Sequence, residues 1–95
     1  MTTVLIYHRV ADYDTWRLAY DRIAAGPLGS DTRSFRIWRG QDDPNLVIIE
    51  EMYDSRDVAE AALNHPELPA EIANAGVEMS SIRIDYLDEV ASGPH

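Results

Sequence analysis

The chain has 95 residues, 45% of them hydrophobic, with 17 acidic against 8 basic side chains, no cysteine and a formal net charge of −9. That length holds one domain with no room for a second core, and the hydrophobic share is too high for a disordered chain. Without cysteine there are no disulfides, thiolate metal sites or thiol nucleophiles, and the acidic balance would repel a phosphate backbone, which argues against nucleic acid as a partner.

The opening stretch "MTTVLIYHRV" has no basic leader, and its apolar run is too short for a signal peptide or a membrane span. A cytoplasmic protein with no membrane partner is expected. Residues 3–10 of this stretch read as a strand rich in β-branched and aromatic side chains. Next, Tyr13, Trp16, Tyr20, Ile23 and Ala24 recur at helical spacing, with Asp12 as N-cap and Gly26-Pro27 as the stop. A second strand is predicted over residues 33–40 and a third over 46–53. Between them "GQDDPN" supplies hairpin turn chemistry. Asp54 or Ser55 can cap a helix whose Val58, Ala61 and Ala62 share a face. A short further helix is predicted, opened by Pro66 and closed near Gly76, with Leu68, Ile72 and Ala75 as its buried face. A fourth strand is predicted over residues 81–90, and residues 92–95 read as a flexible tail after a single domain of residues 1–91.

The order β-α-β-β-α-β is the ferredoxin-like α+β pattern, a four-stranded antiparallel sheet with helices on one face. Right-handed crossovers put the first and third strands in the middle of that sheet. Both are apolar at both parities, as central strands are, while the second and fourth carry Arg33, Arg36, Arg39, Arg83, Asp85, Asp88 and Glu89, as edges do. Helices cover only one face. The apolar second face therefore calls for a partner, and a homodimer formed through the sheet is expected.

At this point the chain resembles the dimeric α+β-barrel superfamily, whose best-known branch is the antibiotic-biosynthesis monooxygenases. The resemblance rests on "YHRVADYDTWRLAYD", "VIIEEMYDSRDVAEAALNHPEL" and "IRIDYLDEV". The V-x-D-Y-x-x-W segment is also similar to that of small cyclase-labelled proteins. The resemblance implies a dimeric α+β barrel with a pocket between sheet and helices. It implies several activities: oxygenation of aromatic polyketides without a cofactor, polyketide cyclisation, haem degradation, dismutation or plain ligand binding. Haem-degrading relatives use an asparagine in the first strand and a tryptophan near the start of the second helix. This chain has no such asparagine and has Tyr53 nearest the second position, which argues against that branch.

Two readings follow. The first is a small monooxygenase or cyclase acting on an aromatic or polyketide-like molecule, with His65 as general base and Tyr53 or Tyr86 as proton donor. His8, Trp16, Tyr20, Arg36 and Trp38 would then be ligand-binding residues. The second is a non-catalytic dimeric ligand-binding or regulatory protein. In that case His65 closes a helix ahead of Pro66, His8 is a hydrogen-bonded interior group, and the aromatic stripe is core. One carboxylate of Glu50-Glu51 must face inward or toward the partner, with Arg36 or Arg83 available to neutralise it. Three dispersed histidines offer no H-x-x-x-H or H-x-H spacing, and there is no glycine-rich phosphate loop or G-x-S-x-G. Neither a metal nor an organic cofactor is expected.

Overall fold

The computed structural model describes residues 1–95. Its elements are β1 (Thr2–Arg9), α1 (Tyr13–Ala25), β2 (Ser34–Arg39), β3 (Leu46–Tyr53), α2 (Arg56–Leu63), α3 (Leu68–Asn74) and β4 (Arg83–Leu87), with short 3₁₀ turns at Pro27–Gly29 and Met79–Ser81. The strands form one sheet in the order β2-β3-β1-β4, antiparallel throughout. The ferredoxin-like α+β fold is therefore as expected, with the two doubly apolar strands in the centre. No helix is long and apolar enough to cross a membrane.

Register divides the side chains into two sets. Rows such as Ile37–Ile49–Ile6–Ile84 and Phe35–Glu51–Val4–Tyr86 face the helices. The alternate rows, Trp38–Ile48–Tyr7–Arg83 and Arg36–Glu50–Leu5–Asp85, face away from them. The main core lies on the helix side, where Trp16 and Ala19 of α1 meet Val47 and Ile49 of β3, with Val10, Ala75 and Val77 closing it. A smaller cluster joins Val4, Tyr53 and Ala59.

Capping explains the helix limits. The Asp12 side chain accepts from Thr15 N (2.9 Å) and Thr15 Oγ1 (2.8 Å), and α1 ends at Gly26 ahead of Pro27. Of the two candidate caps for α2, Ser55 serves, its hydroxyl accepting from Val58 N at 3.2 Å. Ser55→Ala is expected to cost about 1 kcal/mol, which a melting curve would register as a fall of roughly 4–8 °C. An unchanged midpoint would show that α2 is held by packing alone.

Three expectations need correction. The buried face of α2 includes Ala59, fully buried, whereas Ala61 is exposed. The face is set by contact with Val4 and Tyr53, one residue round from the predicted stripe. The helix predicted to open at Pro66 begins at Leu68, with Pro69 rather than Pro66 in its first turn, where the missing N–H is harmless. Its closure was legible: Gly76 follows with φ +83°, the left-handed geometry that ends a helix. Finally, β4 is shorter than residues 81–90. Ser81 sits in a 3₁₀ turn and takes a hydrogen bond from Arg9 N at 2.9 Å, and the last ladder pair is Thr3 with Leu87, close to the start of β1.

Candidate functional site

A cavity of about 590 Å³ lies between the helix-facing side of the sheet and α1, α2 and α3. Its wall is mostly apolar. Ile6 and Ile49 form part of the sheet side, and Leu63, Leu68 and Ile72 form part of the helix side. Along α1 the sequence spacing places flat rings next to one another. Trp16 stacks on Tyr20 with centroids 5.2 Å apart, and Tyr20 meets the edge of Phe35 at 5.7 Å. This wall suits a flat apolar molecule.

Of the polar groups that interrupt it, two are buried. His8, on β1, is buried and meets Trp16 edge-on at 5.3 Å. Its Nδ1 lies 3.0 Å from the Val47 carbonyl. A carbonyl only accepts, so Nδ1 carries the proton and the lone pair of the neutral ring is on Nε2, to which no protein group is bonded. Burial lowers the His8 pKa from 6.5, outweighing the opposing effect of backbone hydrogen bonds, so the ring is neutral at pH 7.

The second group is Glu51 on β3, also buried. One of its oxygens accepts from Tyr20 Oη at 2.7 Å, the other from Tyr53 Oη at 3.0 Å. Tyr53 in turn accepts from Thr32 Oγ1 at 3.2 Å. Burial first, and the neighbouring Glu51 charge second, push both phenols well above their usual pKa, which keeps them as O–H donors. The inward carboxylate is thus satisfied by tyrosines and not by Arg36 or Arg83. Glu50 faces the other way and accepts from Trp38 Nε1 at 3.1 Å.

Of the residues singled out from sequence, His8, Trp16, Tyr20 and Tyr53 come together around this cavity. The others lie elsewhere. His65 is exposed in the turn after α2, where its Nδ1 accepts from Glu67 N at 3.1 Å. The helix stops before reaching it, and the imidazole has no place in the cavity wall. Tyr86 packs beside Val4 and Tyr53 under the Arg56 guanidinium, 4.4 Å from its ring, and does not line the cavity. Arg36 and Trp38 are on the opposite face of the sheet, because Phe35 and Ile37 are the β2 residues that turn toward the helices. Phe35 and Thr32 are cavity residues that pattern reading passed over. Strand parity with Phe35's neighbour Ile37 carried the signal for the first, and the loop position of Thr32 carried none.

No family model matches the chain, and no curated protein matches it either. Solved structures do. SnoaB, a cofactor-independent oxygenase from Streptomyces nogalater, superposes with a TM-score of 0.76 over 99% of this chain and 97% of its own, at 14% identity. The chain thus shares the ferredoxin-like α+β fold of this oxygenase. An antibiotic biosynthesis monooxygenase structure superposes with a TM-score of 0.69 at 12% identity, over 96% of this chain and 100% of its own. Rv0793 from Mycobacterium tuberculosis does so with 0.67 at 16%, over 99% and 100%. At such identities the likeness is one of fold, and the chemistry must be argued from the cavity.

Proposed function

We propose that the protein is a cofactor-independent monooxygenase of aromatic, polyketide-like molecules, working as a homodimer joined through the open face of its sheet. The observation that supports this best is His8: a neutral imidazole with its Nε2 lone pair unengaged, in the wall of an apolar cavity lined with flat rings. Such a base suits a C–H made acidic by a conjugated carbonyl. The same fold carries a cofactor-independent oxygenase in SnoaB.

His8 Nε2 removes a proton from a ring methylene, and the electron pair left behind delocalises into the carbonyl. This enolate is the reductant. It passes electrons to dioxygen, a C–O bond forms, and the imidazolium returns its proton to the resulting peroxide. Loss of the remaining C–H proton with cleavage of the O–O bond yields the ketone and water. One oxygen atom enters the product and the other leaves as water, so no external reductant is consumed. The apolar wall excludes water from the carbanion, so that dioxygen and not a solvent proton meets it.

Anthrone, whose methylene lies opposite its carbonyl, tests the proposal. In air-saturated buffer with a chelator and no added cofactor, the protein is expected to speed conversion to anthraquinone well above the spontaneous rate, with one dioxygen consumed per quinone. Anthrone that binds and is not turned over would instead support the non-catalytic ligand-binding reading.

A further inference from the structure

The hydroxyls around Glu51 share one property that bears on what the cavity selects. Both Tyr20 and Tyr53 spend their hydroxyl protons on Glu51, and Thr32 directs its own to Tyr53. A carboxylate has about four acceptor positions, so the two hydroxyls leave acceptor capacity on Glu51 and no free donor beside it. Glu51 has no ion-pair partner, and it is the sole acid in the cavity wall. The wall's one cation, Arg33, is held by Asp54 through two bonds of 2.9 and 2.7 Å. At the other end His8 likewise offers a lone pair.

We propose that the Glu51–Tyr20–Tyr53 cluster is a specificity site that selects fused aromatic ligands bearing a neutral O–H donor and rejects anionic ones. This deepens the reading of the cavity as a small-molecule site and rests on it. A ligand hydroxyl finds a charged acceptor in an apolar surround, where such bonds are strong. A ligand carboxylate placed at Glu51 meets a like charge, and the two hydroxyls beside it already donate to that charge. The spacing sets the size. Glu51 is paired across the ladder with Val4, four residues along β1 from His8, which is about 13 Å of strand. That span suits a fused polycycle touching both polar ends better than a single ring.

The test compares naphthol with naphthoate, which share a ring system and differ in what they present to the acceptor. Titration calorimetry at pH 7 on the intact protein is expected to give at least about a hundredfold preference for naphthol. Glu51→Gln, which removes the charge and adds a donor, is expected to bring the two within about tenfold of each other. Equal affinities in the wild type would overturn the inference whether or not the variant folds, and so would an unchanged preference in Glu51→Gln. Failure of both compounds and of anthrone to bind would remove the cavity's ligand-binding role itself. Binding without discrimination would remove only the selectivity proposed for Glu51.

Discussion

His8→Asn is expected to lower anthrone turnover by roughly 10²–10⁴-fold while leaving the thermal midpoint close to that of the wild type. Asparagine is the informative replacement because its amide N–H, at the same distance along the side chain as Nδ1, can still donate to the Val47 carbonyl, which His8 Nδ1 meets at 3.0 Å. Alanine would orphan that buried acceptor and confound a chemical loss with a structural one. The amide cannot take up a proton near neutrality, so the base is lost and the contact kept. The pH profile provides a second readout. Only the neutral ring is a base, and burial lowers its pKa from 6.5. The rate should therefore be level at pH 7 and above and fall below pH 6.5 as the ring protonates, with the fall absent from His8→Asn. Stability follows the same direction. The unfolded chain binds this proton near pH 6.5 and the folded chain only at lower pH, so the His8 contribution is complete above 6.5 and declines as the pH falls toward the folded value. His65→Gln serves as the control: an exposed imidazole in the turn after α2 should leave the rate unchanged. Full activity in His8→Asn, or loss of activity in His65→Gln, would move the base elsewhere.

The contrast between these two histidines shows what a sequence of this kind reveals. Strand parity is a rigid signal, because a period of two leaves each residue one face or the other. His8 shares its parity with Val4 and Ile6, and it lies on the helix side with them. The same rule applied to β3 groups Glu51 with Val47, Ile49 and Tyr53, and all four are buried. What parity could not supply was the partner of Glu51, since Tyr20 comes from α1, 31 residues away. The helix period is a softer signal near an end. His65 would share the buried face of α2 only if the helix reached it; the chain turns at Asn64, and the histidine sits at the junction ahead of Pro66. Arg36 and Trp38 share a parity on β2, and parity alone does not say which face of the sheet they take, because two aromatics, Phe35 and Trp38, compete for the inward direction on a short edge strand. Register with Ile49 and Ile6 decides in favour of Phe35 and Ile37.

Ile48→Glu is expected to turn a dimer into a monomer of much lower thermal stability. Only 13 of the 95 residues are buried in the single chain, a small core for a domain that must offset its own conformational entropy. Meanwhile the sheet face away from the helices carries Leu5, Tyr7, Ile48 and Met52, all half-buried, with Trp38 at 53% and Leu87 at 41% exposure beside them. Ile48 is at the centre, paired with Trp38 on one side and Tyr7 on the other. The neighbouring row, Arg36–Glu50–Leu5–Asp85, is charged at its margins, as the rim of an interface is. Burying an isoleucine there contributes about 1.5–3 kcal/mol per copy. A carboxylate in its place loses that and adds the cost of an unpaired charge, in both copies at once by symmetry. The wild type is expected to sediment as a dimer at micromolar concentration, with a midpoint that falls on dilution. Ile48→Glu is expected to sediment as a monomer whose midpoint ignores concentration. A monomeric wild type, or a variant that stays dimeric, would remove the sheet face as the interface. Activity should fall with the dimer, because the alternation that points Ile48 outward also points its neighbours inward. Val47 holds the His8 ring and Ile49 lines the cavity, so a loosened β3 loosens the base and the wall together.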